Sequence, residues 1–218
     1  MSDVPFTEKD YIPVARLDSM PRILSAHPGT PYNTVKEMVE YAKKNPGAIK
    51  VGVANVGTTD YLAFCELELT YGIKFNIIPQ GGGGPARVAL IGGHIDVSAP
   101  TLVEASPVIT SGQVKSLGMM DSKRNPQFPD MKTCAEYGIP IEGNSENYLA
   151  VQKDTPPEII NMLQETFKKV LEDKGFLELA KKLNINVAYL DSAAAKKRLD
   201  EVRVHYKDLI QKTGIGKK

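Results

Sequence analysis

The chain has 218 residues, enough for one large domain or two small ones, each with its own core. It is 42% hydrophobic and 24% charged, which excludes a disordered or fibrous chain. With 27 basic and 26 acidic residues the net charge is +1, giving nucleic acid no electrostatic footprint, and no apolar run reaches the roughly 18 residues that span a bilayer.

The opening stretch, MSDVPFTEKDYIPVARL, has no basic region followed by an apolar one, so it contains no signal peptide. A cytoplasmic protein, a mature form and a fragment all remain open. Thr34 begins TVKE, a capping-box pattern for a helix through Lys44 that stops at NPG. A strand at 49–53 (IKVGV) follows, then the turn Asn55–Gly57 and a helix from about Thr59 to Tyr71 closed by Gly72. KFNIIP reads as a strand, and four glycines then lead into a short helix with Pro85 in its first turn. HIDVSA is a strand, and TLVEASPVITSG is a helix broken or kinked near Pro107.

QVKSLGMM is the next strand, ahead of a polar loop at 121–130 and a short helix near 131–137. ENYLAV is a strand. TPPEIINMLQETFKKVLED is strongly amphipathic, with Ile160, Leu163, Phe167, Val170 and Leu171 on one stripe. A short helix, the strand INVAYL and a last helix capped by Ser192 complete the order. Strands alternating with helices predict an α/β protein with mainly parallel sheet. Composition shifts place boundaries near 24–30 and 145–152.

Two stretches could seat an anion. In VGVANVGTTDYLAF, Gly57 precedes Thr58 and Thr59 at a helix start, where free N–H groups and hydroxyls favour a carboxylate or phosphate. Read alone, it is most simply an ordinary capped turn, and it matches neither a dinucleotide fingerprint nor a phosphate-binding P-loop. In QGGGGPA the glycines imply positive φ, close backbone approach or a merely flexible loop. Both turns run from strand to helix, so in neighbouring parallel units they share the carboxyl edge of the sheet. Asp96 lies within a strand, where it either organises a loop or faces a cleft, the former being favoured.

Catalytic and metal signatures are absent from the sequence. There is no G-x-S-x-G elbow, Cys134 has no evident histidine partner, and Cys65 sits in an apolar helix as a core thiol. The two cysteines make no disulfide framework, and His27, His94 and His205 share no metal-ligand spacing. Carboxylates fall on helix faces as charge pairs, such as Glu165 with Lys168 or Lys169. No cofactor is expected, and a binding protein fits better than an enzyme.

Several stretches in this order carry a resemblance: EKDYIPVARL, HPGTPYNTVKEMVEYAKKNPGAIKVGVANVGTTDYLA, GGGGPARVALIGGHIDVSAPTLVEASPVITSGQVKSLGM and KDTPPEII. The chain resembles the Bug-type extracytoplasmic solute receptors of the tripartite tricarboxylate transporters. The resemblance implies an α/β, two-lobed periplasmic-binding-protein-like fold that closes on a small carboxylate and delivers it to membrane transporter subunits. It implies a periplasmic location, a monomer and no catalysis. Carried over by position, Asn55, Gly57, Thr58, Thr59, Gly82 and Gly83 are ligand contacts, with Pro85 and Ala86 beside them and Asp96 on the family's GG-x-x-D pattern.

The implied lobes are 1–27 with 148–218, and 28–147, with crossings near Leu24–His27 and Tyr148–Val151. Relatives begin with a further strand, Gly-rich loop and helical segment, so the first lobe is expected to be incomplete at its N-terminus. The stretch NSENYLAV also lacks the tryptophan expected near the return crossing. The alternatives are a receptor that no longer binds a ligand, and a small α/β enzyme acting on a carboxylated or phosphorylated metabolite.

Overall fold

A computed structural model describes residues 5–214. Two compact units are present, one formed by Met1–Met20 with Glu146–Lys218 and the other by Pro21–Ser145. In chain order the elements are β1 (Tyr11–Pro21), β2 (Ile23–Ala26), α1 (Val35–Lys44), β3 (Lys50–Val53), α2 (Thr59–Tyr71) and β4 (Asn76–Pro79). They continue with α3 (Gly83–Ile91), β5 (Val97–Ser98), α4 (Leu102–Thr110), β6 (Lys115–Met119) and a one-turn 3-10 helix, Ala135–Tyr137. The chain ends with β7 (Asn144–Gln152), α5 (Pro157–Glu172), α6 (Lys174–Lys182), β8 (Val187–Leu190) and α7 (Ser192–Thr213).

The division falls at 20/21 and 145/146, whereas the sequence reading sets it at 27/28 and 147/148. The larger difference has a plain cause. Every residue of β2 is buried, and β2 bonds to β5 on one side and β6 on the other. A segment hydrogen-bonded on both edges is an interior strand rather than a crossing.

The Pro21–Ser145 unit is a five-stranded sheet in the order β4-β3-β5-β2-β6. β3 runs parallel to β4 and β5, while β2 runs antiparallel to β5 and β6. In the other unit, ordered β7-β1-β8, β1 and β8 are antiparallel. The five-stranded sheet is therefore mixed, and the β1–β8 pair antiparallel, rather than mainly parallel. Parallel pairing needs a crossover that returns the chain to the same sheet end. β3, β4 and β5 follow one another through the helices α2 and α3, which supply such crossovers, whereas β2 pairs antiparallel with β5 and β6.

Leu24, Val51, Val53, Val97 and Leu117 are fully buried on the sheet, packed with Val35 and Met38 of α1 and Phe64 and Leu67 of α2. Phe64 meets Phe75 edge-on with ring centroids 5.7 Å apart. α2 buries Leu62 through Cys65 as a continuous run, so more than one of its faces is covered. Thr34 caps α1 by accepting from the Glu37 N–H at 3.2 Å, and Gly72 ends α2 at φ 63°. α4 passes unbroken through Pro107 to Thr110.

In the first unit, Val14 and Ala15 of β1 are buried with Leu171, Ala180, Ala195 and Leu209 of the helices. Glu146 accepts from Arg16 Nη1 at 2.7 Å, from Tyr148 Oη at 2.7 Å and from Arg198 Nε at 3.2 Å. This ties β1, β7 and α7 together. The cap of α7 is Asp191, which accepts from the Ala194 N–H, while Ser192 instead donates its hydroxyl to Pro13 O at 2.7 Å. The aspartate one residue earlier takes the capping position, because its carboxylate reaches the first-turn amides.

Candidate functional site

Three adjacent parallel strands of the Pro21–Ser145 unit, β4, β3 and β5, each end in a turn that opens a helix: α3, α2 and α4. Three helix N-termini therefore gather at one carboxyl edge, the position where open α/β sheets hold ligands. β2 runs the other way, so its start lies at that same edge, and Arg22 just before it bridges to Thr101.

The three N-termini differ in what occupies them. α4 is closed by its own capping box: Glu104 Oε2 accepts from the Thr101 N–H at 3.0 Å and from the Thr101 hydroxyl at 2.8 Å. α2 and α3 have no side-chain cap. Their first backbone bonds are Leu62 N–H to Thr58 O and Ala86 N–H to Gly82 O. The amides of Thr59, Asp60 and Tyr61, and of Gly83 and Gly84, lie ahead of those bonds with no acceptor among the described residues. Pro85 occupies the third helical position of α3, where its missing N–H costs nothing.

The ordinary-cap reading of the first turn does not hold. Thr58 turns its hydroxyl back to donate to Asn55 O, while Thr59 Oγ1 accepts from Arg22 Nε at 3.0 Å and Nη2 at 2.8 Å. Neither hydroxyl caps α2. Arg22 Nη1 also donates to Ala99 O at 2.7 Å, so one guanidinium joins the turns after β3 and β5. All its partners are neutral oxygens, and it forms no ion pair among the described residues. A half-buried cation held only by neutral acceptors keeps its charge available to an anion.

Two further polar atoms at this edge are buried without a partner among the described residues, Asp60 Oδ1 and Ser98 Oγ. The other oxygen of Asp60 accepts from the Ala54 N–H at 2.7 Å and fixes the turn between β3 and α2.

The glycines have separate reasons to be there. Gly57, Gly81 and Gly82 hold φ of 85°, 78° and 153°, which side chains rarely adopt. Gly83 has no such φ, but a Cβ there would stand 3.0 Å from Glu104 Oε1. At Gly84 a Cβ would meet nothing.

The structure thus brings Asn55, Gly57, Thr58, Thr59, Gly82 and Gly83 to one edge, with Asn55 and Gly57 exposed. Asp96 is not among them. Its carboxylate accepts from the Lys50 N–H at 2.7 Å and its N–H donates to Lys50 O at 2.8 Å. That is the amino end of β3, about 10 Å from its carboxyl end at a strand's rise per residue. Asp96 organises the opposite end of the sheet, and its position corrects its inclusion as a ligand contact.

Arg22 is the residue that sequence reasoning missed. The one available signal was a lone arginine in SMPRILSA, inside an otherwise uncharged run. Burial pushes the Cys134 thiol up to about 12 and raises Cys65 as well, so both are held as thiols. Among the described residues no three His, Cys, Asp or Glu side chains gather as a metal site, and no helix is long and apolar enough to cross a membrane.

The chain is similar in sequence and in fold to several known proteins. The UPF0065 protein of the gbd 5' region in Cupriavidus necator is 32% identical over 188 residues, covering 86% of this chain. This chain spans only 57% of that relative's length. The periplasmic binding protein BugD is 27% identical with a TM-score of 0.82, over 94% of this chain and 70% of BugD. MatC from Rhodopseudomonas palustris, solved with bound malate, shares the fold at 23% identity and a TM-score of 0.83, over 96% of this chain and 73% of MatC. The sequence profile of the tripartite tricarboxylate transporter receptors, TctC, matches residues 1–215, and this chain belongs to that family.

Proposed function

We propose that this protein is an extracytoplasmic receptor that captures a small carboxylate for a tripartite tricarboxylate-type transporter and releases it chemically unchanged. One observation carries the reading: the uncapped N-termini of α2 and α3 share a sheet edge with a guanidinium that has no anionic partner. Unsatisfied amides, two helix dipoles and a cation all favour an acceptor-only, negatively charged group. Malate, the ligand of MatC, is a group of this kind and the first probe to use. The periplasmic assignment of BugD supports the same compartment here, and a monomer is the expected state.

The test is calorimetric titration and thermal melting with malate, succinate, adipate and citrate. A bound acid at 100 times its Kd should stabilise the fold by about 2.7 kcal/mol. Thr58→Ala and Thr59→Ala should weaken the binding, and the acid should be recovered unconverted. A melting temperature unmoved by every acid, or turnover of one of them, would overturn the reading.

A further inference from the structure

We infer that Arg22 sets the selectivity of this seat by making the Thr59 hydroxyl an obligate donor; the inference rests on the carboxylate reading above. A hydroxyl oxygen has two lone pairs and one proton. Arg22 places Nε–H and Nη2–H on the same Thr59 oxygen, at 3.0 and 2.8 Å, which fills both lone pairs. Only the O–H remains, and it donates to no group among the described residues. Charge-assisted bonds from the guanidinium polarise that O–H and strengthen it as a donor.

The fork that does this is itself fixed at several points. Nη1 is bound to Ala99 O at 2.7 Å. The Arg22 N–H donates to Gly143 O at 2.8 Å, and its carbonyl accepts from the Met120 N–H at 2.8 Å. An ammonium could supply the charge but not two parallel N–H groups to one oxygen. The ligand class follows from this chemistry. A group facing Thr59 must offer a lone pair and gains if negative, so an ionised carboxylate is accepted. An ammonium or amide N–H aimed there finds a filled oxygen and a repelling cation, and is rejected.

A double-mutant cycle on the full chain tests this, with affinity for whichever of malate, succinate, adipate and citrate the wild type binds. Thr59→Val and Arg22→Met are each expected to weaken binding about 10- to 100-fold, the range for a hydrogen bond to a charged group. In the Arg22→Met background Thr59→Val should cost no more than about 3-fold, because the hydroxyl is then free to turn; independent residues would lose the full factor in both backgrounds. Arg22→Lys should remain at least about 5-fold weak although its charge is kept.

Equal losses for Thr59→Val in both backgrounds would overturn the inference and leave the receptor reading standing. Wild-type affinity in Arg22→Lys would do the same, and this variant decides the matter if Arg22→Met does not fold. A wild type that binds none of the acids would overturn the receptor reading and this inference together.

Discussion

Replacing each residue of Gly81–Gly84 by alanine should give four different outcomes, because each glycine sits there for its own reason. Gly81 has φ 78°, and a left-handed alanine costs about 1–2 kcal/mol. The smaller entropy of the unfolded alanine chain returns about 0.4–1 kcal/mol, leaving a net loss near 1 kcal/mol. Gly82, at φ 153° and ψ 165°, occupies backbone space that is essentially glycine-only, so its variant should lose about 1–3 kcal/mol.

Gly83→Ala has no backbone penalty. Its Cβ would press on Glu104 Oε1 at 3.0 Å, and that carboxylate also caps α4. A weakened cap costs about 1 kcal/mol and the entropy term offsets most of it, so the net change should be within about 0.5 kcal/mol. Gly84→Ala meets nothing and should stabilise by about 0.4–1 kcal/mol. Urea denaturation of the four variants, followed by far-UV circular dichroism, measures the series. If all four lose stability equally, the loop requires flexibility as such and the residue-by-residue reasoning is wrong.

Asp96→Ala removes the acceptor for the Lys50 N–H and should cost about 1–3 kcal/mol of stability while leaving carboxylate affinity unchanged, as calorimetry on the folded variant will show. Arg124 and the Thr133 N–H hold Glu136 at a pKa of about 2, down from 4.5, so this pair stabilises the fold above about pH 4.5 and loses its contribution as pH falls through about 2. Arg124→Met should flatten the stability profile across that window in urea melts at stepped pH. Cys65 and Cys134 are buried thiols, so a maleimide should label neither in native buffer and both after unfolding, as mass spectrometry will count.

What was legible in the sequence was the local chemistry. Thr34 with Glu37 and Gly72 mark helix ends by contacts within a few residues, and α1 and α2 end where those signals stand. β1 and β2 were not legible as strands. Pro13, Pro21, Arg16, Asp18 and Arg22 break the apolar alternation, and the chain pays for them through partners far away in sequence. Arg16 reaches Glu146, 130 residues on, and Arg22 reaches Thr59 and Ala99, 37 and 77 residues on.

The candidate site divides in the same way. Glycines at strand-to-helix turns identify Gly57, Gly82 and Gly83 from sequence, because positive φ and close approach are local needs. Whether Thr58 and Thr59 cap their own helix is not a local matter, since Arg22 arrives from another strand. Asp96 carries no signal of which sheet edge it occupies, because that depends on its pairing with Lys50, 46 residues earlier.

The central claim, that the open N-termini of α2 and α3 seat a small carboxylate, is tested most directly by amide NMR during a titration with malate and then succinate, adipate and citrate. The N–H resonances of Thr59, Asp60, Tyr61, Gly83 and Gly84 should shift together along one binding curve for at least one acid. The Lys50 amide, already bonded to Asp96, should stay in place. Shifts confined to other residues, or none with any acid, would contradict the account.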